Sequence, residues 1–235
     1  MIEIENLNYI IRDRKTYFKI SDINFRLGEG YMMGLLGKNG AGKSTLLRLL
    51  YGSLLADSGK VLFNGEDMYK NIVKFRQKIG YIGDEDIFFT NETVGENARI
   101  LGELYAGYSY GEFLNYLKLF ELGESVNDKK PYELSTGQKK QVYLAFVMAR
   151  HPSLLLLDEP MSNLDPVFRV EFVDLLQRLI ADEKLSVILS THIIDDIEDI
   201  SDYIGILDNG ILKTFGDRDE VLGDDKTIRM ALSNV

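Results

Sequence analysis

The sequence predicts an α/β fold built on a mixed, largely parallel sheet, and three observations predict it. Short apolar runs at 31–36, 153–157 and 186–190 alternate along the chain with stretches of helical periodicity. Residues 31–36 are continuously apolar rather than alternating, the pattern of a strand covered on both faces. Polar and glycine-rich stretches follow directly on these runs. They therefore fall at the carboxyl ends of strands, where such folds bind ligands.

The elements read in order as follows. Residues 2–10 place Ile2, Ile4 and then Leu7 on one side, as in a half-buried strand, and 20–27 repeat this with Ile23, Phe25 and Leu27. A glycine turn at 28–30 leads into the run at 31–36. A loop, GKNGAGKST (37–45), comes next, and LLRLLYG then reads as a helix. Val61 to Phe63 is a short strand ending in the Asn64–Gly65 turn signal, and 79–82 is another. From about residue 84 the character turns helical over 93–105 and 110–120. In the second stretch Phe113, Tyr116, Leu117 and Phe120 fall at i, i+3, i+4 and i+7. A strand at 153–157, a helix at 168–180 with Val170, Val173 and Leu176 as its stripe, and a strand at 186–190 follow. An acidic helix is expected at 193–200. Strands at 204–207 and 211–214 flank Asp208–Asn209–Gly210, a hairpin turn.

Composition narrows the function. The chain has 235 residues, enough for one large domain, and a formal net charge of −10. That acidity disfavours non-specific binding to DNA, RNA or anionic membrane surfaces, yet leaves room for a nucleotide in a locally positive pocket. With no cysteine, disulfides and thiolate metal sites are excluded. No signal peptide is expected at the N-terminus, and no stretch approaches the roughly 18–20 apolar residues of a membrane span.

GKNGAGKS fits G-x-x-x-x-G-K-[ST] between a strand and a helix. Gly37, Gly40 and Gly42 let the backbone curl so that successive N–H groups face one point, and Asn39 and Ala41 complete the loop. A side chain there would obstruct the phosphate. Lys43 is placed for the β- and γ-phosphates, Ser44 for Mg²⁺ and Thr45 for a further phosphate contact. In LLLLDEP (154–160), an apolar strand ends on Asp158, suited to Mg²⁺, and Glu159, suited to polarising a water for attack on the γ-phosphate. In LSTGQ (134–138), Ser135 and Gln138 have the spacing of a helix capping box, and the helix tip they form, with Gly137, is a second anion-binding element.

Together these stretches resemble the ATP-binding subunit of ABC transporters. GKNGAGKST looks like its Walker A motif, LLLLDEP like Walker B, LSTGQ like the signature, SNLD (162–165, ending on Asp165) like the D-loop, and His192 in STH like the switch histidine. All five occur in the family's order, and the resemblance covers essentially the whole chain. It implies a P-loop NTPase core (1–83 and 150–235) with an N-terminal antiparallel β portion, and an inserted α-helical subdomain at 84–149. It also implies that ATP and Mg²⁺ are bound, that Ser135, Gly137 and Gln138 close over the γ-phosphate held by a second chain, and that His192 contacts that phosphate. The implied partners are another ATP-binding subunit, in a homo- or heterodimer, and an integral membrane permease. The implied place is cytoplasmic, peripheral on the inner face of the membrane.

Two departures stand out. Asp84 occupies the place of the family's Q-loop glutamine, and Thr136 replaces a signature glycine. The family's adenine-stacking aromatic falls near Ile11, with Tyr9 and Tyr17 close by. The stretches DEPMSNLDP and STHIIDDIEDISDYI look most like Gram-positive drug or peptide exporters. The competing readings are a soluble ATPase of the same type acting on ribosomes or DNA, and a non-catalytic nucleotide-dependent regulator. The net charge and the presence of Glu159 and His192 weigh against these.

Overall fold

The computed structural model describes residues 1–13, 16–162, 164, 166–193, 195 and 197–222, without the side chains of 12–17, 124, 167, 168, 182 and 183. Two strands open the chain, β1 (Ile2–Asp13) and β2 (Thr16–Leu27), paired antiparallel. The slip between Ile4 and Leu7 in the sequence is a β-bulge. Asn6 and Asp22 take positive φ there, and the Asn6 amide is held by the Asn24 side chain at 2.7 Å. The bulge lets Leu7 rejoin the buried face of Ile2 and Ile4. With β4 (Ser58–Phe63) and β5 (Glu66–Asp67) these strands form a sheet in the order β2-β1-β4-β5.

A second sheet is ordered β10-β9-β3-β8-β7-β6, from β3 (Met32–Leu36), β6 (Ile79–Ile82), β7 (Leu154–Asp158), β8 (Ser186–Thr191), β9 (Tyr203–Asp208) and β10 (Ile211–Asp217). All neighbours are parallel except the β9/β10 hairpin, whose Asn209–Gly210 turn has positive φ at both residues. The central strands bury alternate residues in two cores. Met32, Leu36, Leu155, Leu157, Val187 and Leu189 face one, and Met33, Leu35, Leu154, Leu156 and Ile188 face the other. This two-sided cover is why the runs carry no polar alternation.

The second of these cores is closed by α1 (Lys43–Tyr51) and the first sheet. The first is closed by α3 (Val94–Gly102), α4 (Tyr110–Leu119), α5 (Thr136–Met148) and α6 (Pro166–Glu183). A short α2 (Ile72–Arg76) precedes β6, and α7 (Arg218–Leu222) follows β10. Fully burying one such Leu or Ile contributes about 1.5–3 kcal/mol, so these two cores dominate the fold's stability.

Two expectations need correction. Of the expected stripe, Leu176 is fully buried and Val173 packs on the core, but Val170 is 63% exposed, and α6 adds Phe172, Leu175 and Leu179 to the buried face. No α-helix forms over the described residues of 193–200. Asp195, Glu198 and Asp199 would stand at i, i+3 and i+4 on a helix, where like charges repel. Instead 197–200 is a turn, closed by the Ser201 hydroxyl on the Ile197 carbonyl at 2.8 Å. The turn seats Ile197 against β3, where a Cβ on Gly34 would lie 2.2 Å from the Ile197 Cδ1.

Candidate active site

The register of the second sheet assembles the site. Strands β3, β8, β7 and β6 are consecutive neighbours, and pairing of Leu36 with Thr191, Asp158 with Ser190 and Ile82 with Leu157 brings their carboxyl ends level. The glycine loop, His192, the Asp158–Glu159 pair and Asp84 leave the sheet side by side.

After β3 the chain turns through Gly40 (φ 83°) and Gly42 (φ 106°) into α1. A Cβ on Gly42 would come within 2.5 Å of the Phe18 ring, so both the backbone angle and the ring require glycine here. No side chain caps α1, so its first-turn amides are left for water or a ligand. Ala41 is buried beneath the loop, its carbonyl accepting from the Gly210 amide at 2.9 Å. The Lys43 side chain is 6% exposed. Its ammonium donates to the Gly37 carbonyl at 2.6 Å and the Lys38 carbonyl at 3.3 Å, and lies 3.1 Å from Glu159 Oε1. Glu159 Oε1 is buried and meets no directed hydrogen bond, so the contact is an ion pair.

Glu159 has φ 49°, a left-handed conformation that costs a glutamate on the order of 1–2 kcal/mol. Its amide bonds both the Ser190 carbonyl (3.1 Å) and the Ser190 hydroxyl (3.2 Å). The turn directs its carboxylate between Lys43 and His192, whose Nδ1 lies 2.9 Å from Oε2. A carboxylate so placed can take a proton from a water, and the imidazole orients it. Asp158 is buried behind it. One oxygen accepts from the Ser190 hydroxyl at 2.6 Å, and the other has a single long contact, 3.4 Å, to the Tyr81 hydroxyl. Burial, and then the Asp158 charge, push the Tyr81 phenol up to about 12, so it stays a donor. The hard oxygens of Asp158 and Ser44 suit Mg²⁺, and no cluster of three or more acidic, His or Cys side chains forms a metal site among the described residues. An ion held here would take its remaining ligands from phosphate and water.

A cavity of about 490 Å³ is lined by Ile11, Phe18, Lys38, Asn39, Gly40, Gly42, Lys43, Ser44, Thr45, Asp84 and Glu159. It brings half of the expected site residues together. Gly37 and His192 line an adjoining cavity with Asn39. Phe18 and Lys38 line the cavity without having been singled out from the sequence. Phe18 is the aromatic one. It pairs across the hairpin with Ile11, and the signal was its place two residues before the buried Ile20. Of the other base-stacking candidates, Tyr9 packs on the core, and the Tyr17 side chain lies outside the description.

The signature residues are elsewhere. Ser135 caps α5, accepting from the Gln138 amide at 3.2 Å, while the Gln138 side chain accepts from the Ser135 amide at 3.1 Å. This capping box leaves Gly137 in the first turn of a 13-residue helix. None of Ser135, Gly137 and Gln138 lines the cavity of this chain's own glycine loop. Asp165 lies outside the described residues.

Residues 20–162 match the family model described as ABC transporter. The chain is 33% identical to the ABC transporter ATP-binding protein YtrB of Bacillus subtilis, covering 98% of this chain and 77% of that one. It is 31% identical to the linearmycin resistance ATP-binding protein LnrL of the same organism (100% and 76%). It is 35% identical to the energy-coupling factor transporter ATP-binding protein EcfA of Methanocaldococcus jannaschii (95% and 84%). Among solved structures, a dimeric bacterial ABC transporter cassette superposes with a TM-score of 0.84 at 25% identity, covering 93% of this chain and 99% of that one. A glycine loop facing a carboxylate pair, carried on this sheet by a chain so similar to these proteins, places it in the ABC transporter family, among the ATP-hydrolysing, ATP-binding chains.

Proposed function

We propose that this ATPase drives a separate membrane permease, and that the cargo is exported and is a drug, a peptide or a lipid-like compound. The observation that carries the permease reading is one short segment with two faces. Asp84 lines the nucleotide cavity, while its neighbours Gly83, Glu85 and Ile87 line a groove of about 390 Å³ with Tyr51, Leu104, Tyr105 and Arg150. The groove's aromatic walls and exposed Leu104 suit a partner's helix, and no described helix is long and apolar enough to cross a membrane. The name of LnrL and the motif stretches noted above support export. The place of work is then the inner face of the membrane.

In this reading Gly37, Asn39, Gly40, Ala41 and Gly42 wrap the triphosphate in backbone amides. Lys43 turns from Glu159 to the β- and γ-phosphates, and Thr45 adds a contact. Ser44 and Asp158 would hold Mg²⁺, which when bound would neutralise phosphate charge. Glu159 takes a proton from the attacking water as its oxygen bonds to the γ-phosphorus and the bond to the β-phosphate oxygen breaks, giving ADP and phosphate. His192 orients Glu159, and Asp84 faces the γ-phosphate side. Ser135, Gly137 and Gln138 seal the site of a second chain, with Asp165 at that junction, and the helical segment 84–149 moves as the pair closes.

The absence of cysteine makes the test direct. A Leu104→Cys variant in native membranes, treated with a short bifunctional thiol–amine reagent, is expected to cross-link to an integral membrane protein. Cross-linking only to ribosomal protein, with ribosomal RNA recovered on pull-down, would favour the soluble-ATPase alternative. The base wall is tested separately. Stacking on an aromatic ring contributes about 1–3 kcal/mol, so Phe18→Ala is expected to weaken ATP binding by about tenfold and to narrow the preference for ATP over other triphosphates, read by nucleotide titration. Unchanged affinity would remove Phe18 from the base site.

A further inference from the structure

Two adjacent lysines follow the signature turn on α5, and each holds a different loop. The Lys139 ammonium bonds Asp86 at 3.0 and 3.3 Å, and the Tyr143 hydroxyl donates to the same carboxylate at 3.0 Å. The Lys140 ammonium turns the other way, into the loop after β7. It meets the Pro160 carbonyl at 2.6 Å, the Ser162 carbonyl at 2.9 Å, the Glu159 carbonyl at 3.4 Å and the Ser162 hydroxyl at 3.5 Å. An ammonium has three donors, and here they all serve oxygens of one four-residue turn. The partners are carbonyl and hydroxyl oxygens rather than a carboxylate. The cation is therefore used as a hub for backbone geometry. The same turn is closed by the Ser162 amide and hydroxyl on the Glu159 carbonyl, at 3.1 and 2.8 Å.

This matters because Glu159 keeps a left-handed backbone, and its carboxylate direction depends on it. Relaxing that φ would swing the carboxylate away from Lys43 and His192. Lys140 lies five residues beyond Ser135, about 7.5 Å along a continuous helix. The exposed tip at Ser135, proposed above to seal a second chain's site, is thus tied to the loop that aims this chain's own carboxylate.

We propose that Lys140 is a positioning residue for Glu159: through the carbonyls of Glu159, Pro160 and Ser162 the signature helix sets the aim of the carboxylate in its own chain. This rests on the reading of Glu159 as the base. Burial lowers the Lys140 ammonium's affinity for its proton, and the charges of Asp84 and Glu159 oppose that effect.

The test compares turnover, ATP affinity and melting temperature of the full chain carrying Lys140→Met, Lys140→Arg, Glu159→Gln and Glu159→Gln with Lys140→Met. Lys140→Met is expected to lower kcat by roughly 10–100-fold, the scale of a misaimed catalytic group, with ATP affinity within about threefold and the melting temperature within about 3 °C. Arginine, which keeps the charge and the donors, is expected to recover most of that loss. In the Glu159→Gln background Lys140→Met is expected to cost nothing further, because residues acting through one group are not additive. Turnover within threefold of the parent in Lys140→Met, a loss matched in affinity or melting temperature, or an additive loss in the double variant would each overturn the proposal. Parental turnover in Glu159→Gln alone would instead overturn the reading of Glu159 as the base.

Discussion

Glu159→Gln is expected to lower ATP turnover by about 10²–10⁴-fold while leaving Mg·ATP binding intact. The substitution keeps an amide oxygen facing the Lys43 ammonium, 3.1 Å from Oε1, and a polar group beside His192. The left-handed turn is as accessible to glutamine as to glutamate, so the fold is retained. The lost property is basicity, and without it the proton of the attacking water has no acceptor. With hydrolysis blocked, nucleotide accumulates in the closed pair, and sedimentation or gel filtration with Mg·ATP is expected to show a dimer that the nucleotide-free variant lacks. Parental turnover would remove Glu159 from the chemistry. A variant that binds Mg·ATP yet stays monomeric with its natural partner supplied would remove the composite site.

The second large effect is at Lys43. Its ammonium is buried and shared among the Gly37 carbonyl, the Lys38 carbonyl and Glu159. Lys43→Met keeps the aliphatic stem and removes the charge. Charge-assisted hydrogen bonds contribute roughly 1.5–3 kcal/mol each, so ATP affinity is expected to fall by about 10–100-fold, with turnover lost in proportion or worse. ADP, with one phosphate fewer for the ammonium to hold, is expected to lose less. Isothermal titration with both nucleotides checks this. Equal losses for the two would mean that Lys43 acts through loop structure and not through the γ-phosphate.

Most of the central sheet was legible because its strands lie between two cores and so carry uninterrupted apolar runs. The loops after β3 and β7 were legible because phosphate chemistry tolerates few substitutes for glycine, lysine and paired carboxylates. The signature cap was read correctly from Ser135 and Gln138 because a capping box is a local bond pattern, closed within four residues. The rest depends on contacts that no local pattern records. The turn at 197–200 exists because Gly34, far away in sequence, leaves room for Ile197. Phe18 reaches the cavity only because the β1/β2 register sets it opposite Ile11. Val170 was misplaced on α6 because a valine on a helix reads as core whichever way it faces. Elements as brief as β5 and α2 hold too few residues to show any period.

The segment at 83–87 carries a pharmacological consequence. Its two sides belong to different cavities, one rich in backbone amides and charge, the other walled by Tyr51, Tyr105 and Leu104. A flat apolar compound wedged against those tyrosines would never meet the triphosphate. Because the groove is proposed to seat the permease, such a compound is expected to act as a non-competitive inhibitor, lowering the ceiling of the rate while leaving half-saturation by nucleotide where it was, with no relief from raising the ATP concentration.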